Sequence, residues 1–214
     1  MTGFTGVPLA ALDFYDELEA DNSRTWWAAH KSTYDDAVRG PLMALLDELA
    51  PEFGEAAVFR PHRDVRFSKD KSPYKTHQGG FVTVCDGVGF YVQVSAAGLL
   101  TSAGWHPRGE QVLRFRESVA SPSGIELEAL VRATRAAGFS VEGDRLATRP
   151  RGMAPGHPRE DLLRHKSLTA GRRWGAPDWL PTPETADRVR EDWRALRPLV
   201  EWLGRHVGPG EARG

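Results

Sequence analysis

Phe81-Val82-Thr83-Val84-Cys85-Asp86-Gly87-Val88-Gly89-Phe90-Tyr91-Val92-Gln93-Val94-Ser95 is the stretch whose reading decides the fold class. Two runs rich in β-branched and aromatic residues flank an Asp-Gly pair, the pattern of a β-hairpin closed by a tight turn. In the second run Val88, Phe90, Val92 and Val94 alternate with Gly89, Tyr91, Gln93 and Ser95, so one face is apolar and the other more polar. Ala97-Gly98 marks another turn, and Leu99 to Gly104 reads as a third strand. Connections this short make sequential strands antiparallel neighbours.

Outward from the hairpin, the periodicity changes from two to 3.6. Pro8 suits the first turn of a helix to about Ala20, with Leu9, Leu12, Tyr15 and Leu18 as its stripe. Asn22-Ser23 supplies an N-cap for a helix carrying Trp26, Trp27, His30, Tyr34 and Val38. The aromatic members of that stripe read as core, and His30 as a packed, hydrogen-bonded histidine. Gly40-Pro41 interrupts the helix before the stripe Leu42, Leu45, Leu46 and Leu49. Beyond the strands, Trp105-His106-Pro107 opens a helix to about Val119, and Ile125 to Ala137 forms another, capped by Gly138. Residues 143–158, rich in Gly, Pro and Arg, read as a loop, and His157-Pro158-Arg159 starts a helix to about His165. Lys166, Arg172, Arg173 and Trp174 form a second basic patch, placed on a loop. The last helix starts near Pro183 and uses Val189, Trp193, Leu196, Val200 and Leu203, with a kink or break near Pro198. The expected architecture is α+β: one domain over residues 1–207, mainly an antiparallel sheet of about four or more strands covered by helices, and a frayed tail over 208–214.

Composition fits this reading. At 40 % hydrophobic and 27 % charged residues, the chain can bury a substantial core. Its net charge of −1 argues against binding nucleic acid or membrane through the whole molecule. Cys85 is the one cysteine, which excludes an internal disulfide and a cysteine-based zinc site. It sits beside the hairpin turn and reads as structural rather than nucleophilic. There is no charged-then-apolar leader and no apolar run near about 18 residues, so a soluble cytoplasmic protein without a membrane partner is expected.

Functional chemistry concentrates in Arg60 to His77, RPHRDVRFSKDKSPYKTH. Arg60, Arg63, Arg66, Lys69, Lys71 and Lys75 face only Asp64 and Asp70, six cations against two acids, a segment charge of +4. The aromatic and β-branched residues Val65, Phe67 and Tyr74 separate this run from a disordered basic tail. His62 to Ser68 reads as a strand with His62, Asp64, Arg66 and Ser68 on one face and Arg63, Val65 and Phe67 on the other. With it, the sheet has about four strands. Ser72-Pro73 turns the chain and returns Lys71, Tyr74 and Lys75 beside that strand. Gly79-Gly80 mark a bulge or a close backbone approach.

The spacing Arg60-x-x-Arg63-Asp64-x-Arg66-Phe67-x-x-Asp70-Lys71-x-x-Tyr74 resembles the signature of a bacterial and fungal family catalogued as domain of unknown function 2461. The resemblance extends to Asn22-x-x-x-Trp26-Trp27, the Gly104-x-x-Pro107 turn and His157-Pro158, and covers nearly the whole chain. It implies a single-domain soluble α+β fold and the importance of the central run, but brings no established activity.

Guanidinium forks match carboxylate and phosphate oxygens. The favoured reading is therefore a small phosphate- or carboxylate-bearing ligand held by Arg60, Arg63, Arg66, Lys71 and Lys75. If there is a reaction, Asp64 orients arginines or acts as base, and Tyr74 or His77 transfers a proton. A metal is disfavoured, because three nearby arginines oppose a further cation at His62 and Asp64. No Walker loop, dinucleotide fingerprint, H-E-x-x-H or G-x-S-x-G is present, and no cofactor or oligomeric state is indicated. Two alternatives stay open: a nucleic-acid module using the basic run with Phe81 and Tyr91, and a structural or partner-binding protein whose arginines brace the fold.

Overall fold

The computed structural model describes residues 3–66, 70–153 and 155–208. Its architecture is α+β. Helices α1 (Ala10–Ala20), α2 (Arg24–Thr33) and α3 (Gly40–Phe53) precede strands β1 (Ala56–Val58), β2 (His77–Cys85), β3 (Val88–Ser95) and β4 (Gly98–Trp105). Then follow α4 (Gln111–Ala120), α5 (Ser123–Ala136), β5 (Ser140–Glu142), α6 (Glu160–Leu163), β6 (Leu168–Gly175) and α7 (Glu184–Val207). The six strands form one antiparallel sheet in the order β1-β2-β3-β4-β6-β5. Among the described residues, no helix is long and apolar enough to cross a membrane.

The chain divides into two compact units, one of residues 1–82, 91–101 and 173–191, the other of 83–90, 102–172 and 192–214. The first is centred on aromatic side chains. Phe14 touches Tyr15, Trp26, Trp27 and Tyr34, with ring centroids 5.2–5.8 Å apart. Leu42, Leu45, Leu46 and Leu49 line α3 and are buried as their spacing requires. Leu9, expected on the α1 stripe, is 51 % exposed. It is the N-cap of that helix, so its side chain lies off the buried face.

Gly40-Pro41 does not interrupt the second helix. Tyr34–Arg39 is a π-helical turn, and α3 continues from it with proline in its first turn. The Gly40 N–H reaches back five residues to the Asp35 carbonyl. The wider turn takes up the helix where Pro41 has no N–H to give, so helical geometry persists across the imino acid.

The second unit packs Trp105, Phe115 and Trp202, with Trp105 and Phe115 stacked at 4.9 Å. Gln111, fully buried, collects four hydrogen bonds. Its Oε1 accepts from Trp105 Nε1 and Arg108 N, and its Nε2 donates to the carbonyls of Asp86 and Gly208. The hairpin turn at Asp86-Gly87 has Gly87 at φ 76°, while among the described residues no non-glycine residue takes positive φ. That excludes the type I′ turn, which needs both central residues there. Cys85 is half-buried, and burial, then Asp86, pushes its thiol pKa up, as suits a structural cysteine.

Three strands, β1, β5 and β6, were not legible in the sequence. Of the second basic patch, Lys166 lies in a bend, but Arg172, Arg173 and Trp174 are not on a loop: they lie in β6, which pairs with β5 through Ser140↔Gly171, Val141↔Ala170 and Glu142↔Thr169. β6 lies beside β4, where Gly104 has φ 148° and a Cβ would stand 2.3 Å from the Leu168 carbonyl oxygen. Gly104 is therefore a strand residue at a close backbone approach rather than part of a turn. In the other correction, α7 runs unbroken through Pro198. Leu196, Leu199 and Val200 around it are buried, and that packing outweighs the proline's cost of about 3 kcal/mol.

Candidate functional site

The segment between β1 and β2 is a narrow arm rather than the expected strand. Among the described residues only its base pairs: the Arg63 N–H donates to Pro73 O and the Lys75 N–H to Pro61 O, at 2.9 and 2.8 Å. This makes a single antiparallel bridge, His62↔Tyr74. Past Arg63 the ladder ends, because Asp64 Oδ1 accepts the Arg66 N–H at 3.2 Å and turns the backbone on itself. A short carboxylate that bonds its own backbone competes with strand pairing. Asp70 Oδ1 does the same for the Ser72 N–H on the returning limb, at 2.9 Å. Phe67, Ser68 and Lys69, named in the sequence reading, lie outside the described residues.

The arm is clamped from α2's leading end. Ser23 caps α2 by accepting the Trp26 N–H. Asn22 does something different: its Nδ2 donates to Tyr74 O at 3.0 Å and its Oδ1 accepts the Tyr74 N–H at 3.1 Å. In a bridge of this kind the facing residues do not bond each other, so Tyr74's own N–H and C=O point away from His62. Asn22 supplies the missing peptide. The Tyr74 ring, 6 % exposed, stacks on Trp27 at 4.1 Å, and the His62 ring lies 5.1 Å from it. Beneath, Tyr34 Oη donates to Gln78 Oε1 at 2.7 Å, and Gln78 Nε2 donates to Phe59 O at 2.6 Å. Burial pushes the Tyr34 pKa up to about 12, so this hydroxyl stays a donor.

The candidate residues separate into two groups. In the arm, Arg66 grips Asp64 with two guanidinium nitrogens, at 3.0 and 2.7 Å, and holds that exposed carboxyl at about 2. Arg63 forms an ion pair with Asp70, and Lys71 Nζ donates to Val65 O at 2.9 Å. Near the base, Arg60 is exposed, and among the described residues its guanidinium makes no hydrogen bond or ion pair. Lys75 Nζ donates to Arg60 O at 3.1 Å and sits 5.4 Å over the Phe59 ring. Burial, then Arg60, lowers the Lys75 pKa. His77, half-buried at the start of β2, has its pKa lowered by burial, then by Lys75 and Arg63. Lys75 is thus near enough to Arg60, and His77 to Lys75 and Arg63, for like charges to repel. Asp64 and Tyr74 are built into the arm and its packing.

Gly79 and Gly80 follow His77 because neighbours fill the space of a side chain. A Cβ at Gly79 would stand 2.3 Å from Tyr91 Oη, and one at Gly80 2.4 Å from Leu46 Cδ1. Tyr91, donating to Gln93 Oε1 at 2.8 Å, is committed to this packing. Trp26, half-exposed, stacks with His30 at 4.0 Å, whose Nδ1 lies 2.8 Å from Trp26 O. Among the described residues, no three His, Cys, Asp or Glu side chains are grouped to hold a metal ion.

Sequence reasoning missed the clamp by Asn22 and the Tyr34–Gln78 bond. Both span more than forty positions, 52 and 44 residues respectively, and no local spacing signals them. A family model described as "Conserved hypothetical protein (DUF2461)" matches residues 10–202, and the chain belongs to that family. No curated protein matches the chain.

Proposed function

We propose that this member of the DUF2461 family binds a small phosphate- or carboxylate-bearing metabolite at Arg60, Arg63, Lys75 and His77. The observation that carries the reading is cationic crowding at the base of the arm. The Arg60 guanidinium makes no hydrogen bond or ion pair among the described residues, though it is near enough to Asp64 to favour that carboxylate, and Lys75 and His77 are disfavoured as cations by burial and by neighbouring positive charge. An oxyanion among them would relieve that repulsion and accept several charge-assisted hydrogen bonds. Arg66, Lys71 and Asp64 serve this site by shaping the arm. Asp64, ionised by its pairing with Arg66, orients that arginine and is a poor proton acceptor near neutral pH. Of the candidate acid–base groups, His77 is the one among the repelling cations whose proton affinity an anion would raise. Tyr74 acts through packing. The packing of Tyr91 against Gly79 weighs against base stacking, and so against the nucleic-acid alternative.

The test is thermal unfolding and calorimetry with inorganic phosphate, sugar phosphates, nucleotides and dicarboxylates, on wild type, Arg60→Ala and Lys75→Ala. A ligand at 100 times its Kd adds about 2.7 kcal/mol, or roughly 5–10 °C for a chain of this size. That shift is expected for one ligand class in wild type and lost in Arg60→Ala. No shift with any anion, or one unchanged in both variants, would sink the proposal and leave the cations as braces of the arm.

A further inference from the structure

We propose that the second unit carries another binding site, a cleft of about 340 Å³ in which Arg132, Arg135 and Arg145 rim an apolar floor of Val131 and Leu162 and receive the oxyanion of a small organic ligand with an apolar body. The cleft follows from one helix face. Glu128, Val131, Arg132 and Arg135 occupy positions i, i+3, i+4 and i+7 of α5, so they share one side of it. The opposite wall is Arg145 with the segment around α6. Val131 is 4 % exposed and Leu162 8 %, so the floor is apolar and closed.

The rim is cationic. Among the described residues, the guanidinium groups of Arg132 and Arg135 make no hydrogen bond or ion pair. Arg145 is positioned by a buried group: its Nε donates to His165 Nε2 at 2.9 Å, while His165 Nδ1 lies 2.8 Å from Ser167 O. With Nε2 accepting and Nδ1–H donating, the imidazole is neutral and fully used. Burial, the largest influence on His165, favours the same neutral form. His165 thus fixes one edge of Arg145 and leaves its terminal nitrogens for a ligand. A fourth lining arginine, Arg159, is spent on the carbonyls of Val119, Ala120 and Ser121 at the end of α4. The acids Glu128 and Asp161 also line the cleft, leaving four arginines against two carboxylates. A cleft in this size range with an apolar floor and a few convergent polar groups is the usual form of a small-molecule site. Forked guanidiniums on its rim select a carboxylate or a phosphate ester. This inference is independent of the site at the base of the arm.

Calorimetric titration of phenyl phosphate, benzoate and inorganic phosphate tests it, on wild type, Arg132→Gln, Arg135→Gln and Arg60→Ala. Arg132 and Arg135 are exposed, so both variants keep the fold, which their melting midpoints verify. Phenyl phosphate or benzoate is expected to bind saturably with one component that survives in Arg60→Ala and is tighter than that of inorganic phosphate. Each glutamine variant is expected to weaken that component by roughly tenfold or more, the loss of a charge-assisted hydrogen bond. Which probe binds better distinguishes a phosphate-ester site from a carboxylate site. No saturable binding, binding indifferent to both glutamine variants, or a preference for inorganic phosphate overturns the proposal.

Discussion

Asn22→Ala tests the logic of the arm most directly. The substitution removes both side-chain bonds to Tyr74 and leaves that residue's N–H and C=O with no partner. His62 cannot replace it, because the bridge places Tyr74's peptide groups on the side facing away. Each polar group orphaned in a buried setting costs about 1–3 kcal/mol; the two here are part-buried, so about 2–4 kcal/mol in total is expected. For a chain of this length that lowers the midpoint by roughly 4–16 °C. Urea unfolding gives the free energy, and hydrogen exchange at the Tyr74 amide reports the local event, expected to accelerate beyond the global loss. Asn22→Asp sharpens the test. Its carboxylate still accepts the Tyr74 N–H but sets an oxygen against the Tyr74 carbonyl, so it should recover no more than half the loss. A cost below about 0.5 kcal/mol for Asn22→Ala, the range of an ordinary surface change, or a fully stable Asn22→Asp, would refute the clamp.

Other expectations follow from the same geometry. In a carboxyl-detected titration Asp64 should ionise at about 2, and Arg66→Ala should return it towards the ordinary aspartate value of 3.8; a normal titration in wild type would remove the pairing. His77 has a folded pKa below its ordinary 6.5, so its stabilising effect is complete above pH 6.5 and is lost as pH falls from there towards the folded value. Stability measured across that interval should therefore fall less in His77→Gln than in wild type, and if the base of the arm binds phosphate, affinity should rise with acidity over the same interval. Tyr34→Phe leaves the buried Gln78 Oε1 without its donor and should cost about 1–3 kcal/mol, read by urea unfolding; a neutral result would mean another group satisfies Gln78. Gly104→Ala forces positive φ on a residue whose Cβ meets the Leu168 carbonyl, and it should destabilise by about 3 kcal/mol or more, with wild-type stability as the refuting result.

Local chemistry carried much of this protein by itself. The alternation from Val88 to Val94 and the Asp-Gly pair defined the β2–β3 hairpin, and the stripes Leu42–Leu49 and Val189–Leu203 defined the buried faces of α3 and α7. Those signals need only the period of a helix or a strand. The cationic run was equally visible, because charge density is a property of sequence. Which of its cations are committed was not. Asp64 ended the expected strand by bonding its own backbone, a competition that a period-two reading ignores. Arg172–Trp174 read as a basic loop because alternation is weak there; they extend β6, which lies between β4 and β5 in the sheet and meets β5 at Thr169–Gly171. Pro41 and Pro198 read as breaks because propensity is local, while a π turn and burial kept both helices intact. Tertiary structure alone decided that Asn22 completes Tyr74, that Gln78 joins Tyr34 to Phe59, and that Arg145 rests on a neutral His165. Each joins positions at least 19 residues apart, where partner and direction are set by the packed chain and leave no trace in local spacing.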